Sequence, residues 1–186
     1  ADVRLTRDGE RQARATGRGL REFAPFDAAY VSPYKRTRQT LRIILGEQKK
    51  KPPITVEERL REMEFGILEG LTKHGTATIY PEEKKRKDSM GKYYYRPPGG
   101  ESYPDVNLRI HSFLGTLIRE HSGRRVLVVA HAIVVLAFRK LLERLSEKDV
   151  IRITKEDKVK NASVLLYDFS GRKLGARIIR PTLSNK

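Results

Sequence analysis

The chain has 186 residues, enough for one domain with a hydrophobic core and too few for two domains of ordinary size. Hydrophobic residues make up 38% of it and are interrupted by charge throughout, which excludes a membrane helix of roughly 20 apolar residues. The absence of cysteine excludes disulfides, thiolate nucleophiles and cysteine metal sites. A net charge of +16 attracts anionic partners such as phosphorylated metabolites or nucleic acids.

The first half of the chain predicts three helices and two short strands. Apolar residues at helical spacing mark the helices, and short apolar runs bounded by turn residues mark the strands. Pro81 is expected near a helix start, where its missing N–H costs least. The predicted elements are a helix over 8–23, a strand over 28–31, a helix over 34–45, a strand over 54–56, an irregular stretch over 57–70 and a helix over 76–90.

The second half begins with a predicted loop over 91–100 and continues with two helices and three strands. Ser102 can cap the first of these helices, and the apolar run 126–129 is typical of a strand covered on both faces of a parallel sheet. The order predicts a single α/β domain, a three-layer α/β/α sandwich with a mostly parallel central sheet. The predicted elements are a helix from Ser102 through Ile118, a strand over 125–130, a helix over 133–145, and strands over 163–169 and 173–179 joined by a turn at Ser170-Gly171.

Candidate ligand-binding side chains follow two of the predicted strands. Ligands of open α/β sheets collect beyond the carboxyl ends of the strands, where helix N-termini present unpaired N–H groups to anions. Arg36 falls in the first turn of the helix after one strand and could hold phosphate oxygens bidentately. His131 follows the apolar run directly, although a lone histidine there is more often a structural hydrogen-bonding residue.

Glu62 is the best carboxylate candidate for a general acid. It lies in a loop after a strand, in Leu60-Arg61-Glu62-Met63-Glu64-Phe65-Gly66, rather than on an exposed helix face. The alternative is a solvated glutamate, which is the more common state in a chain this charged.

Five motifs occur in an order that resembles the histidine phosphatase superfamily, also called phosphoglycerate mutase-like, over nearly the whole chain. Each motif is weak alone, and the ordered set is strong. They are Leu5–Ala13 at the family's first helix, Ser32–Thr40 at its second-arginine motif, Glu62 with Gly66 at its acid loop, Gly99–Ser102 with Arg109 at its long helix, and Val126–His131 at its second-histidine strand.

The resemblance implies a two-step phosphoryl transfer through a phosphohistidine, with no metal and no organic cofactor. A neutral imidazole attacks phosphorus while positive groups hold the oxygens where charge accumulates. In this chain Arg36 and His131 are the implied phosphate-binding residues, with His131 preferably protonated. Glu62 is implied to protonate the departing alkoxide. Hydrolysis of the phosphoenzyme would make the protein a phosphatase.

The middle of the chain resembles the fructose-2,6-bisphosphatase domain of bifunctional sugar kinase/phosphatases. Tyr80-Pro81-Glu82-Glu83 is followed by Lys92-Tyr93-Tyr94-Tyr95-Arg96-Pro97, and no phosphate-binding P-loop is present. The resemblance makes Tyr80 and Arg96 candidates for binding the part of the substrate that is not transferred. Ala132 departs from that branch, which usually has glutamine after its second histidine.

The family's nucleophile lies in an Arg-His-Gly motif at the end of its first strand, and these 186 residues contain no such motif. The chain begins at Ala1, and its only methionines are Met63 and Met90. We therefore expect the missing strand and nucleophile to precede Ala1, and the chain without them to be inactive by this mechanism. The remaining histidines match no family position and are expected to be surface or structural residues; they are His74, His111 and His121.

Three functions are compatible with these residues. The favoured one is a cytoplasmic phosphatase acting on a small phosphorylated metabolite, with a sugar phosphate as the candidate substrate and no membrane partner. The second is a catalytically silent member of the same fold that binds a phosphorylated ligand, RNA or a protein through its basic surface, although nucleic acid is the less favoured partner. The third is a phosphotransferase of the phosphoglycerate mutase type.

Overall fold

The computed structural model describes residues 3–156, 159, 161–169 and 175–179, and within these ranges it contains two sheets. Three parallel strands pair in the order β2-β1-β3, and an antiparallel pair, β4 and β5, forms the second sheet. Val31 at the end of β1 lies opposite Val56 on one side and Val129 on the other. The strands are β1 (Ala28–Val31), β2 (Ile54–Val56), β3 (Val126–Val129), β4 (Val164–Asp168) and β5 (Gly175–Ile179).

Helices surround the parallel sheet, and local capping explains where the main ones begin. Thr6 caps α1 by accepting from the Gly9 N–H at 3.1 Å. Ser102 and Asp105 form a capping box that starts α5. None of the described helices is long and apolar enough to cross a membrane. The helices are α1 (Arg7–Gly19), α2 (Lys35–Gly46), α3 (Lys73–Ile79), α4 (Pro81–Tyr94), α5 (Tyr103–His121), α6 (Ala132–Leu142) and α7 (Glu147–Glu156).

The two faces of the parallel sheet bury two separate apolar clusters. Alternate residues of β1 point to opposite faces, as the period of two in a strand requires. Ala28 and Tyr30 pack in the cluster that includes α5, α6 and α7, whereas Ala29 and Val31 pack in the cluster that includes α2. The predicted α/β fold with helices around a parallel central sheet is confirmed.

The outer edge of β3, like that of β2, has no strand partner within the described ranges. β3 pairs with β1 along one edge, and no described strand pairs with the other. All four residues of β1 are buried, whereas Val126, Val128 and Val129 of β3 are only partly buried. The sequence predicts a strand covered on both faces, and three of the four side chains of β3 are less buried than this prediction requires.

Between residues 73 and 156 the structure differs from three sequence predictions. The single helix predicted over 76–90 is two helices, because Tyr80 has a non-helical backbone and the residue before a proline disfavours the helical region. The predicted loop over 91–100 starts later, because α4 continues to Tyr94 through a kink at Gly91. Helix α7 was not predicted at all. The predicted turn at Ser170-Gly171 lies outside the described residues.

Candidate active site

The topology brings Arg36 and His131 to one edge of the sheet. Because β1 and β3 are parallel neighbours with Val31 opposite Val129, the chain leaves both strands at the same edge. Arg36 lies in the first turn of α2, which follows β1, and His131 is the N-cap of α6, which follows β3. The guanidinium Nη2 of Arg36 is 3.1 Å from the Nδ1 of His131.

The imidazole of His131 is enclosed on three sides. Its Nδ1 faces Arg36, and its Nε2 is hydrogen bonded to the Oγ of Ser32 at 2.7 Å. The ring of Tyr34 meets the imidazole edge-on at 5.0 Å between centroids and also lies 4.8 Å from the Arg36 guanidinium carbon. These contacts hold the imidazole and the guanidinium in fixed relative positions.

The surroundings of His131 favour its neutral form. Burial is the main cause, and the positive charges of Arg36 and Arg109 add to it; together they lower the pKa of His131 to about 3. The expected protonation of His131 concerns the pocket with a phosphoryl group bound, and it stays a prediction. A bound anion would act in the opposite direction, since a nearby negative charge stabilises the imidazolium.

The carboxyl group of Glu62 lies in the same charged environment. Its Oε1 accepts from the N–H of Met63 at 3.0 Å, and the N–H of Ile133 in the first turn of α6 is a second donor. Burial raises the pKa of Glu62, although these N–H groups and the charges of Arg36 and Arg109 oppose the shift. A carboxyl group whose pKa is raised can remain protonated nearer neutral pH, as a general acid requires.

Arg109 of α5 joins the acid loop, residues 62–66, to the loop that precedes α5. Its guanidinium binds both carboxylate oxygens of Glu101, at 2.9 and 3.1 Å, and donates to the Arg59 carbonyl at 2.6 Å. Glu101 in turn accepts from the N–H of Glu64 at 3.1 Å, and its own N–H donates to the Glu64 carbonyl at 2.9 Å. The ion pair thus fixes the backbone that presents Glu62.

Two glycines allow the same two loops to touch. Gly66 has φ +53°, and a Cβ placed there would lie 2.1 Å from the Pro98 carbonyl oxygen. A Cβ on Gly100 would lie 2.7 Å from the Glu64 carbonyl oxygen. Both distances are far below van der Waals contact with rigid backbone, so any side chain at either position must separate the loops.

Replacing Gly66 with alanine should therefore destabilise the protein and displace Glu62. We expect a loss of about 3 kcal/mol in the free energy of unfolding, because backbone strain and a backbone clash add. Gly70→Ala is the matched control: Gly70 also has positive φ, +77°, but nothing lies within 4 Å of its Cβ position. That variant should lose only about 1 kcal/mol. Equal losses in denaturant unfolding would show that the loop contact contributes nothing.

Among the described residues, no hydrogen bond or ion pair joins the side chain of Tyr80 or Arg96 to Arg36, His131 or Glu62. Arg96 forms a two-point ion pair with Asp105 at the start of α5, with Nε 2.8 Å from the carboxylate. Tyr80 lies at the break between α3 and α4. Their proposed substrate contacts remain predictions.

The sequence alone assigned no role to Ser32, Tyr34 or the Glu101–Arg109 pair, although all four residues lie in the motifs that carry the family resemblance. Ser32 is completely buried directly after a strand, and only the structure shows that it faces His131. Of the other histidines, His74 and His111 are exposed and His121 is hydrogen bonded to Tyr30 at 2.8 Å. These three are surface or structural residues, as expected.

Comparison with known proteins places these motifs in a family. Residues 1–179 match the model of the histidine phosphatase superfamily (branch 1). A 2,3-bisphosphoglycerate-dependent phosphoglycerate mutase 2 from Gloeobacter violaceus is 38% identical over 156 residues, which cover 82% of this chain and 70% of that protein. A counterpart from Cytophaga hutchinsonii is 33% identical over 174 residues, which cover 92% of this chain and 79% of that protein.

Solved structures show the same fold. Bacillus stearothermophilus YhfR has a TM-score of 0.81 at 24% identity, covering 98% of this chain and 87% of that protein. A mycobacterial glucosyl-3-phosphoglycerate phosphatase in complex with VO3 has a TM-score of 0.75 at 23% identity, covering 97% of this chain and 88% of that protein. From its sequence match and its fold, the chain belongs to the histidine phosphatase superfamily.

Proposed function

We propose that this protein is a phosphatase that hydrolyses a small phosphate monoester through a phosphohistidine intermediate. The observation that supports this most strongly is the cluster of Arg36, His131 and Glu62 at one edge of the sheet, with the Arg36 guanidinium 3.1 Å from the imidazole. Arg36 and His131 would bind the phosphoryl oxygens, and Glu62 would supply a proton. The mycobacterial phosphatase of the same fold is consistent with this chemistry.

The proposed reaction has two balanced steps. A histidine nitrogen forms a bond to phosphorus, the bond from phosphorus to the leaving oxygen breaks, and Glu62 donates its proton to that oxygen. Water then attacks the phosphohistidine, the phosphorus–nitrogen bond breaks, and the Glu62 carboxylate takes up the proton of the attacking water. The guanidinium of Arg36 stabilises the charge on the phosphoryl oxygens in both steps.

The attacking histidine in this proposal comes from a strand along the outer edge of β3. Within the described ranges that edge is unpaired, and β3 is only partly buried. The family resemblance assigns an Arg-His-Gly motif to the end of such a strand, and these 186 residues contain none. The activity is therefore proposed for a chain that includes this strand.

The test is phosphate release from p-nitrophenyl phosphate by a protein that includes this strand, with alkaline denaturing quenching to trap a phosphohistidine, which is stable in base and lost on later treatment with acid. We expect both phosphate release and the intermediate. Supplying 3-phosphoglycerate with 2,3-bisphosphoglycerate tests the mutase alternative, the activity in the names of the two sequence relatives. Formation of 2-phosphoglycerate faster than release of phosphate would replace the phosphatase proposal with the mutase.

A second candidate is binding of RNA by a basic surface on α1 and α2. Residues 1–53 contain 13 Lys and Arg against six Asp and Glu, whereas residues 54–156 contain 19 against 15. The exposed arginines Arg7, Arg18 and Arg42 form no ion pair with any described residue. An unneutralised surface of this kind attracts a polyanion.

If RNA binds this surface, its affinity should fall steeply with salt. Changing Arg7, Arg18 and Arg42 together to glutamine should lower the slope of log affinity against log salt by about 2, since each phosphate contact contributes about 0.7. Filter binding of a single-stranded RNA at several salt concentrations measures this slope. An unchanged slope would exclude these arginines as RNA contacts, and absence of turnover in the full-length protein would favour the silent-binder alternative over the phosphatase.

A further inference from the structure

The hydrogen bonds of His131 determine which of its two nitrogens carries the proton. Its Nδ1 is 3.1 Å from the Arg36 guanidinium, which has donors and no acceptor. Nδ1 must therefore accept this hydrogen bond with its lone pair. A neutral imidazole has one N–H, so the proton is on Nε2.

The Oγ of Ser32 is then the acceptor of the Nε2 proton at 2.7 Å. Ser32 has no exposed surface and His131 is 6% exposed, so water does not compete with this hydrogen bond. We propose that Ser32 is a positioning residue: it holds His131 in the Nε2–H tautomer and so directs the Nδ1 lone pair to Arg36 and to the proposed phosphate position.

Ser32 itself is held from both sides. Its N–H donates to the Val129 carbonyl of β3 at 3.1 Å, and the Thr37 hydroxyl of α2 donates to its carbonyl at 3.0 Å. The Tyr34 ring lies edge-on against the imidazole. A rotation of the imidazole by 180° about its bond to Cβ would exchange carbon and nitrogen positions and break both nitrogen contacts.

Because Nδ1 carries a lone pair, His131 must be protonated when an anion binds. This step rests on the proposed function, which places a phosphoryl group beside Nδ1. A phosphoryl oxygen that approaches Nδ1 meets a lone pair, so Nδ1 must take up one proton from solvent before it can donate to the anion. The imidazolium would then donate through Nε2 to Ser32 and through Nδ1 to the anion. The charges that act on His131 are those of Arg36 of α2 and Arg109 of α5, and the same two arginines act on the Glu62 carboxyl of the acid loop.

Nitrogen-15 NMR of the histidine side chains in the full chain tests the tautomer directly. The wild-type protein should show a protonated Nε2 and an unprotonated Nδ1 at His131. In an Arg36→Ala background, at a pH where the imidazole is neutral, Ser32 is the remaining partner and the protonated Nε2 should persist. Adding Ser32→Ala to that background should shift the signal toward the other tautomer or a mixture, whereas adding Ser32→Thr, which keeps the hydroxyl, should retain the wild-type pattern. Thr16→Val, which removes another buried hydroxyl, bonded to the Ala162 carbonyl, is the matched control and should leave His131 unchanged.

Sulfate is a suitable binding probe because it stays a dianion across the pH range of the experiment. At fixed pH its dissociation constant should rise about tenfold in Ser32→Ala, the effect of losing one well-formed hydrogen bond to the imidazolium. In a Glu62→Gln background, which removes the neighbouring titrating carboxyl, sulfate affinity should fall as pH rises, because binding takes up a proton at His131.

A wild-type His131 protonated at Nδ1, or a tautomer unaffected by adding Ser32→Ala to Arg36→Ala, would overturn the inference, and the wild-type spectrum decides the first point even if the variants fail to fold. Neither spectrum depends on turnover. A protein that shows the expected tautomers but releases no phosphate would retain this role for Ser32 and lose the proposed function. A protein that releases phosphate but shows the opposite tautomer would keep the proposed function and lose this role for Ser32.

Discussion

Replacing Arg36 with alanine is expected to lower kcat for phosphate release on the order of 1,000-fold. The guanidinium lies beside the imidazole of His131, where the transferred phosphoryl group would sit. Its contribution grows as negative charge moves onto the phosphoryl oxygens, and removing such a group typically costs about 10²- to 10³-fold or more. Arg36→Lys should recover only part of the activity, because an ammonium group cannot bind two oxygens in a fixed geometry.

The control for this variant is Arg38→Ala, two residues further along α2. Arg38 is exposed and forms no ion pair with any described residue, so its removal changes the local charge equally without touching His131. Steady-state kinetics with p-nitrophenyl phosphate should show near wild-type kcat for Arg38→Ala. If Arg36→Ala also retained wild-type turnover, Arg36 would not bind the transferred group and the proposed site would be wrong.

The second large effect is expected for Glu62→Gln, and its size should depend on the leaving group. An alkoxide needs a proton as it departs, so hydrolysis of an alkyl phosphate should slow about 10²- to 10⁴-fold. A p-nitrophenolate ion departs without one, so formation of the phosphoenzyme from that ester should slow far less. Rapid-quench measurement of phosphoenzyme formation with both esters gives the two rates separately from the hydrolysis of the intermediate.

The pH dependence of the same step provides a further check on Glu62. Burial raises the pKa of this carboxyl group, and a general acid acts only when protonated. Phosphoenzyme formation from the alkyl ester should therefore decline as pH rises through this raised pKa, and Glu62→Gln should abolish that decline. Glu64→Gln, which removes a carboxylate paired with Arg61 at 3.1 Å, is the control from the same loop. Equal slowing of both esters in Glu62→Gln would argue against a proton-donating role.

The sequence predicted the position of Arg36 and His131 because a simple topological rule governs it. Parallel neighbouring strands end at the same edge of a sheet, so residues that follow them converge whatever the details of packing. The partners of these side chains follow no such rule. Burial of the imidazole, which opposes its protonation, depends on Tyr34 and Ser32 side-chain positions that a sequence pattern does not specify.

The errors in the middle of the chain have identifiable causes. The sequence pattern predicts one helix over 76–90 with Pro81 near its start, although the residue before a proline disfavours helical backbone and so indicates a break at Tyr80. Helix α7 carries a usable signal, since Ser146 and Asp149 form a reciprocal cap of the kind found at helix starts. Arg96 pairs with Asp105, nine residues further along the chain, and the sequence alone does not indicate this ion pair.

The contact between the acid loop and the loop before α5 also bears on how this protein could change its substrate. The N–H of Ile67 donates to the Pro98 carbonyl at 3.1 Å, so the chain leaves and returns at nearly one point. The intervening excursion, which contains α3 and α4, can therefore lengthen, shorten or change its side chains while the proton donor keeps its place. Selectivity can evolve in that excursion separately from the reaction chemistry.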